Sequence, residues 1–252
     1  MKKLFTVLVA ALMVFSLTAC NNNNGANGGN DQPDPTPSEP TVMSHADYVA
    51  AALDSEVVVE TYVQATQSWW DNKITVYAAS EDGAYFIYNM AATEEEAAKL
   101  VPGTKIRVSG FKAEWSGEVE IIDATFEIIE GDSYIATAND LTDVFGTDAL
   151  IDHQNEFFTL KGATVVGRGD DAVAFQYKWD GSGSHDENSD LYFDVELNGN
   201  TYSLTVESYL TGNDTEVYQT VEGLNVGDVI DVEGFLYWYE GVNPHITSVT
   251  VK

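Results

Sequence analysis

The sequence predicts an all-β protein with short helices, arranged as two five-stranded domains in tandem, and three observations carry that prediction. Apolar and polar residues alternate with a period of two over segments bounded by turn residues. Two pairs of such segments flank strong hairpin turns, Asp82-Gly83 and Asn198-Gly199. One stretch occurs twice: Leu100-Val101-Pro102-Gly103-Thr104-Lys105-Ile106-Arg107-Val108-Ser109-Gly110-Phe111 aligns with Leu224 to Phe235 at a constant offset of 124 residues, and the match reaches Gly117 and Gly241. Self-similarity at a fixed spacing marks a repeated structural unit.

The N-terminal residues read as an export signal. Lys2 and Lys3 precede an apolar run from Leu4 to Leu17, long enough for a signal-peptide core and short for a membrane-spanning helix. The run closes in Leu17-Thr18-Ala19-Cys20, which resembles the lipobox of bacterial lipoproteins. That resemblance implies removal of residues 1–19 and lipidation of Cys20, which also explains a lone cysteine in an exported chain. Residues 20–41 are rich in Asn, Gly, Asp and Pro and cannot bury a core, so they read as a tether. The expected location is extracytoplasmic, with the chain anchored to the cell membrane by its lipid at the cell surface.

Two folded domains follow, expected at 42–131 and 132–252. In the first, Val57 to Thr66 reads as a long strand, and Lys73 to Ala79 and Ala84 to Met90 form the hairpin around Asp82-Gly83. Thr93 and Glu96 make a capping box that opens a short helix. The repeated stretch is the fourth strand and Val119 to Ile129 the fifth. In the second domain Phe157 to Val166, Leu191 to Leu197 and Thr201 to Glu207 are the first three strands, Asp214 to Val221 the helix, and His245 to Val251 the last strand. An insertion at 168–190 carries a further expected strand, Ala172 to Trp179, and a polar loop.

The order β-β-β-α-β-β with a Gly-x-x-Ile-x-Val-x-Gly fourth strand resembles the OB-fold, a five-stranded Greek-key barrel. The whole chain resembles the tandem OB-fold surface lipoproteins of bacteria. The fold resemblance implies a ligand-facing surface on the second and third strands, and it leaves the ligand open among oligonucleotides, oligosaccharides and proteins.

Strand parity sorts the first hairpin into two faces. Ile74, Val76, Ala78, Tyr85 and Ile87 share one and suit a core. The other carries Thr75, Tyr77, Phe86 and Tyr88, with Trp69, Trp70 and Trp115 in the flanking loops. Trp69, Trp70, Tyr77, Phe86, Tyr88 and Trp115 are therefore the candidate ligand-binding residues, because aromatic planes stack on sugars, bases or apolar side chains. Large aromatics also fill seams between domains, and that alternative stays open. In the second domain the corresponding core face is Leu191, Phe193, Val195, Tyr202, Leu204 and Val206, and the outer face of Tyr192, Asp194, Glu196, Ser203 and Thr205 is polar and acidic.

The chain is strongly acidic, with 41 acidic against 11 basic residues and a net charge of -30. Nucleic-acid affinity rests on Lys and Arg neutralising phosphates, so this balance disfavours nucleic acid as a partner. The exception is a small stripe of Lys105 and Arg107, with Lys73 and Lys112 nearby. Catalysis finds no signature: His45, His153, His185 and His245 lie in separate segments, and no His-Glu-x-x-His or Gly-x-Ser-x-Gly motif occurs. No cofactor and no metal site is expected. Asp180, Asp186, Glu187 and Asp190 offer oxygen ligands in the polar loop, but their spacing departs from an EF-hand. The expectation is a non-enzymatic binding module that holds a saccharide or cell-wall glycan. The alternatives are an adaptor that docks another envelope protein and, third, a nucleic-acid binder acting through the basic stripe.

Overall fold

The alternating segments form strands in the computed structural model, which describes residues 41–179 and 189–252. Cys20, the signal, the tether, Asp180, Asp186 and Glu187 lie outside the described residues. Strands β1 (Glu56–Thr66), β2 (Lys73–Ser80), β3 (Gly83–Ala91), β4 (Lys105–Trp115) and β5 (Glu118–Ile128) close into a barrel in the order β1-β2-β3-β5-β4. All pairings are antiparallel except β3 with β5, as a Greek-key barrel requires. A two-residue strand, β6 (Asn139–Asp140), then lies parallel on the edge of β7 (Phe157–Val166). The second barrel follows from β7 with β8 (Leu191–Leu197), β9 (Asn200–Val206), β10 (Val229–Phe235) and β11 (His245–Val251), and β10 returns to β7 to close it. Its single internal parallel contact, β9 with β11, occupies the place of β3 with β5.

The two aligned stretches do the same work in each barrel. Gly103 and Gly227 turn the chain into β4 and β10 at φ of 90° and 97°, where a side chain is strained. Their N–H groups donate to the carbonyls of Val63 and Val165, each at 2.8 Å. Further along, Gly110 and Gly234 sit where the ladder slips by one residue. A Cβ there would strike the carbonyl of Ile122 or of His245, so these glycines permit the bulge that bends the closing strand.

Each barrel has its own core, and strand parity assigns its members. Val57, Val59, Ile74, Val76, Tyr85, Ile87, Ile106 and Ile121 fill the first. Leu160, Val165, Phe193, Val195, Leu204, Ile230, Val232 and Ile246 fill the second, with Tyr202 packed partly buried against them. Short helices cover the barrel ends. α1 (His45–Ala50), capped by Ser44 Oγ accepting from the N–H of Asp47, drives Tyr48 into the first core. α2 (Glu94–Ala97) carries the capping box of Thr93 and Glu96 in full. In the second barrel Leu141, Phe145 and Leu150 are buried from the segment around a 3-10 turn at Asp148–His153. α3 (Ser208–Thr211) and α4 (Glu216–Glu222) follow β9, and α4 buries Val217, Tyr218 and Val221.

One expected strand does not form. Within Ala172 to Trp179 only isolated bridges occur, Arg168 with Val173 and Gln176 with Tyr192. β7 already pairs with β8 from Asp194 to Glu196, which leaves only the edge at Tyr192 for Gln176 to exchange hydrogen bonds with. The β-forming residues Phe175 and Tyr177 are instead placed by packing against the second core.

Candidate functional site

The outer face of the first hairpin is covered by the second barrel. Tyr77 from β2 and Phe86 from β3 are 1% and 2% exposed and pack against Phe235 of β10, with the Tyr77 and Phe235 rings stacked at 4.5 Å. Tyr77 and Phe86 are thus seam residues. The Tyr77 hydroxyl lies 2.6 Å from His245 Nδ1, and Glu207 accepts from Gln67 Nε2 at 2.7 Å. Backbone bonds cross the seam as well, from Ser68 N–H to the Tyr209 carbonyl and from Glu240 N–H to the Ser116 carbonyl, each at 2.7 Å.

Burial sets the electrostatics of this seam. It pushes the Glu207 and Glu120 carboxyls up to about 7 and that of Glu118 up to about 8, and holds the His245 imidazole down at about 3. Glu118 accepts from the N–H of Trp238 at 2.8 Å through Oε2, while its buried Oε1 lies within hydrogen-bond distance of no partner among the described residues. Tyr237 stands among these carboxyls and stacks on His245, with centroids 4.2 Å apart.

Two connected clefts open from this cluster and share Glu207, Tyr237 and His245 as a common wall. The first, about 500 Å³, is lined by Trp69, Trp70, Tyr88 and Tyr209 with Gln67, Lys73 and Asn89. The second, about 560 Å³, is lined by Trp115, Trp179, Tyr192 and Tyr239 with Asp190, Glu240 and Asn243. A hollow of about 260 Å³ under the β2–β3 turn offers only Tyr134 and Phe157 as rings.

Local structure explains how these rings are presented. Asp71 and Asn72, both at positive φ, make a tight turn whose flanks Trp70 and Lys73 exchange backbone hydrogen bonds, leaving the Trp70 side chain 72% exposed. Trp69 is fixed by its indole N–H donating to the Ala92 carbonyl at 2.9 Å. Tyr88 is 44% exposed where the β2–β3 ladder slips, whereas Phe86 on the same face is buried against Phe235 and Tyr237. Trp115, 53% exposed, packs on Tyr239 at 5.2 Å. The six sequence candidates therefore separate: Trp69, Trp70 and Tyr88 share the first cleft with Phe86 at its floor, Trp115 belongs to the second, and Tyr77 lines neither.

The second barrel's contribution to the clefts, from Tyr192, Glu207, Tyr209, Tyr237, Tyr239 and His245, was not found by reading each domain alone. The repeat carries one usable signal, because Trp115 and Tyr239 are equivalent positions at the constant offset and they touch across the seam.

The basic stripe is largely neutralised within the protein. Lys105 and Arg107 pair with Glu60 at 3.0 and 2.8 Å, which holds that carboxyl below its ordinary range. Lys112 is buried, its ammonium donating to the carbonyls of Tyr48, Val49 and Ala51 at 3.0, 2.8 and 2.9 Å. It satisfies the C-terminal end of α1 and does not face a phosphate. In the second barrel's outer face, Asp194 and Ser203 are engaged by Arg168 at 2.6 and 2.8 Å.

No family model and no curated protein matches this chain. Among solved structures it is similar in fold to a murine DNA-binding protein bound to double-stranded DNA, at 10% identity and a TM-score of 0.34 over 77% of this chain and 94% of that one. It is also similar to the HINa domain of Ifi202 in complex with double-stranded DNA, at 13% identity and a TM-score of 0.33 over 79% and 98%. A replication protein A heterotrimer bound to single-stranded DNA aligns at 11% identity and a TM-score of 0.31 over 78% and 49%. At these identities the likeness speaks for the fold alone. The DNA is a property of those solved proteins; the sequence expectation that nucleic acid is disfavoured as a partner nevertheless does not hold on charge, because a charge summed over a whole chain does not describe one cleft. The chain's fold is that of two closed, five-stranded OB-like barrels in tandem.

Proposed function

We propose that the protein is a non-catalytic binding module, held at the extracytoplasmic face of a membrane by a lipid on Cys20, and that its first cleft takes a saccharide such as a cell-wall glycan. The observation that carries this reading is the grouping of Trp69, Trp70, Tyr88 and Tyr209 around one open cleft with the amides of Gln67 and Asn89. Ring planes cover the apolar faces of a sugar, and amides bond its hydroxyls. The cleft volume suits a short oligosaccharide. The signal and tether composition supports the anchored location, and the alignment of the two barrels at a constant offset supports duplication of one ancestral domain.

A second reading is a single-stranded nucleic acid, whose bases would stack on the same rings with Lys73 at the rim. Calorimetric titration with wall fragments, a glycan panel and a short oligonucleotide separates the two. Trp70→Ala is expected to weaken glycan binding at least about tenfold, near 1.4 kcal/mol. Undiminished binding in that variant, or binding of the oligonucleotide alone, sinks the saccharide reading. Fatty-acid labelling that disappears in Cys20→Ala, with release of the protein from the membrane fraction, tests the anchor.

A further inference from the structure

The second cleft shares a wall with the first but differs in charge. Asp190, Glu207 and Glu240 line it, and among the described lining residues Arg168 is the only Lys or Arg. That guanidinium is held within the protein by four hydrogen bonds. Nη1 donates to Asp194 at 2.6 Å and to Ser203 at 2.8 Å, Nε to Gln176 at 3.1 Å, and Nη2 to the Trp179 carbonyl at 2.8 Å. Arg168 and Asp194 therefore offset each other, and the cleft in front of them is lined by carboxylates and aromatic rings.

We propose that this second cleft is a binding site for an organic cation, an alkylammonium group seated against the rings of Trp115, Tyr237 and Tyr239 and neutralised by the exposed carboxylate of Glu240. The negative faces of aromatic rings attract a cation that carries no tight hydration shell, and a quaternary ammonium gains most because it has no N–H to satisfy. The wall already shows that affinity: the Arg168 guanidinium lies over the Tyr192 ring at 5.8 Å. A metal ion fits less well, because no group of three or more His, Cys, Asp or Glu residues converges among the described residues. The cleft, at about 560 Å³, exceeds one ammonium head, so the cation is a substituent of a larger molecule. This site stands on its own charge and rings and does not depend on the saccharide reading.

Titration calorimetry of the full chain with choline, and with its neutral isostere 3,3-dimethylbutanol, tests the proposal. Choline is expected to bind saturably and the isostere at least tenfold more weakly. Trp115→Ala and Tyr239→Ala each weaken choline at least tenfold, while Ile135→Ala, an exposed position outside the lining, leaves it unchanged. Should a ring variant fail to fold by circular dichroism, Glu240→Gln at an exposed carboxylate is expected to weaken choline and leave the isostere unaffected. Absence of saturable heat with choline, equal affinity for both probes, or full choline affinity in folded Trp115→Ala overturns the assignment. None of these outcomes bears on glycan binding at Trp70, so the two readings fail separately.

Discussion

Gly234 shows how much of the fold rests on single residues. It lies where β10 slips against β11, and a methyl group there would meet the His245 carbonyl and the Ile246 Cα, which are backbone atoms and cannot swing away. Gly234→Ala is expected to destabilise the protein by about 1–3 kcal/mol or more, a drop of about 2–4 °C in melting temperature for each kcal/mol. A thermal melt within a degree of the parent would show that the strand bends without needing glycine. Tyr77 makes the complementary point. Its parity could be read from the hairpin, and parity correctly separated it from the core of its own barrel. What covers that face is a property of the other barrel, so a residue with an outward-facing side chain is 1% exposed.

Elements were legible in proportion to how locally they are specified. The capping box at Thr93, the Asn198-Gly199 hairpin and the long alternating strands are decided within a few residues, and they form as the spacing predicts, whereas the first hairpin turns at Glu81-Asp82 with the expected turn residue Gly83 already paired to Ser80. α1 has only six residues, too few for a helical period, and its placement depends on Lys112 more than fifty positions later. Burial lowers the pKa of that lysine, and the helix-end carbonyls compensate for its desolvation. Lys112→Met leaves those carbonyls unsatisfied and is expected to cost about 1–3 kcal/mol. Hydrogen exchange at the Ala51 amide, which bonds to the Asp47 carbonyl, is expected to quicken while the amides of β4 at Ile106 and Val108 stay protected. Equal protection of Ala51 in both proteins would remove Lys112 from that role. The segment Ala172 to Trp179 marks the limit of propensity: its β-formers pack on a core without joining a ladder.

At the scale of the molecule the buried seam makes stability depend on pH. Glu118, Glu120 and Glu207 titrate near 8, 7 and 7 in the folded state against 4.5 as ordinary carboxyls. Between those limits the folded protein holds protons that the unfolded chain has released, so stability falls as pH rises from about 4.5 to 8. His245, held neutral down to about 3, acts in the opposite sense below 6.5, but it is one group against three. Repulsion within a chain of net charge -30 adds to the alkaline loss. Below about pH 4 the slope reverses as Glu60 and Asp231, held low by their basic partners, lose their charge. The melting temperature is therefore expected to be several degrees lower at pH 8.5 than at pH 5.5, and Glu118→Gln to narrow that gap. A melting temperature that rises steadily from pH 5.5 to 8.5 would contradict this assignment of buried carboxyls.

The sequence by itself determined the tandem arrangement, the order of the strands along the chain and the core faces. Those features follow from period-two alternation, from turn chemistry and from steric limits that act within a few residues of each other. Only the tertiary structure decided that Tyr77 and Phe86 are packed in a seam, that Lys112 caps a helix, and that rings from both barrels line two joined clefts. Gln67 and His245 meet there across most of the folded chain, and no local pattern encodes which outward face of one barrel the other will cover.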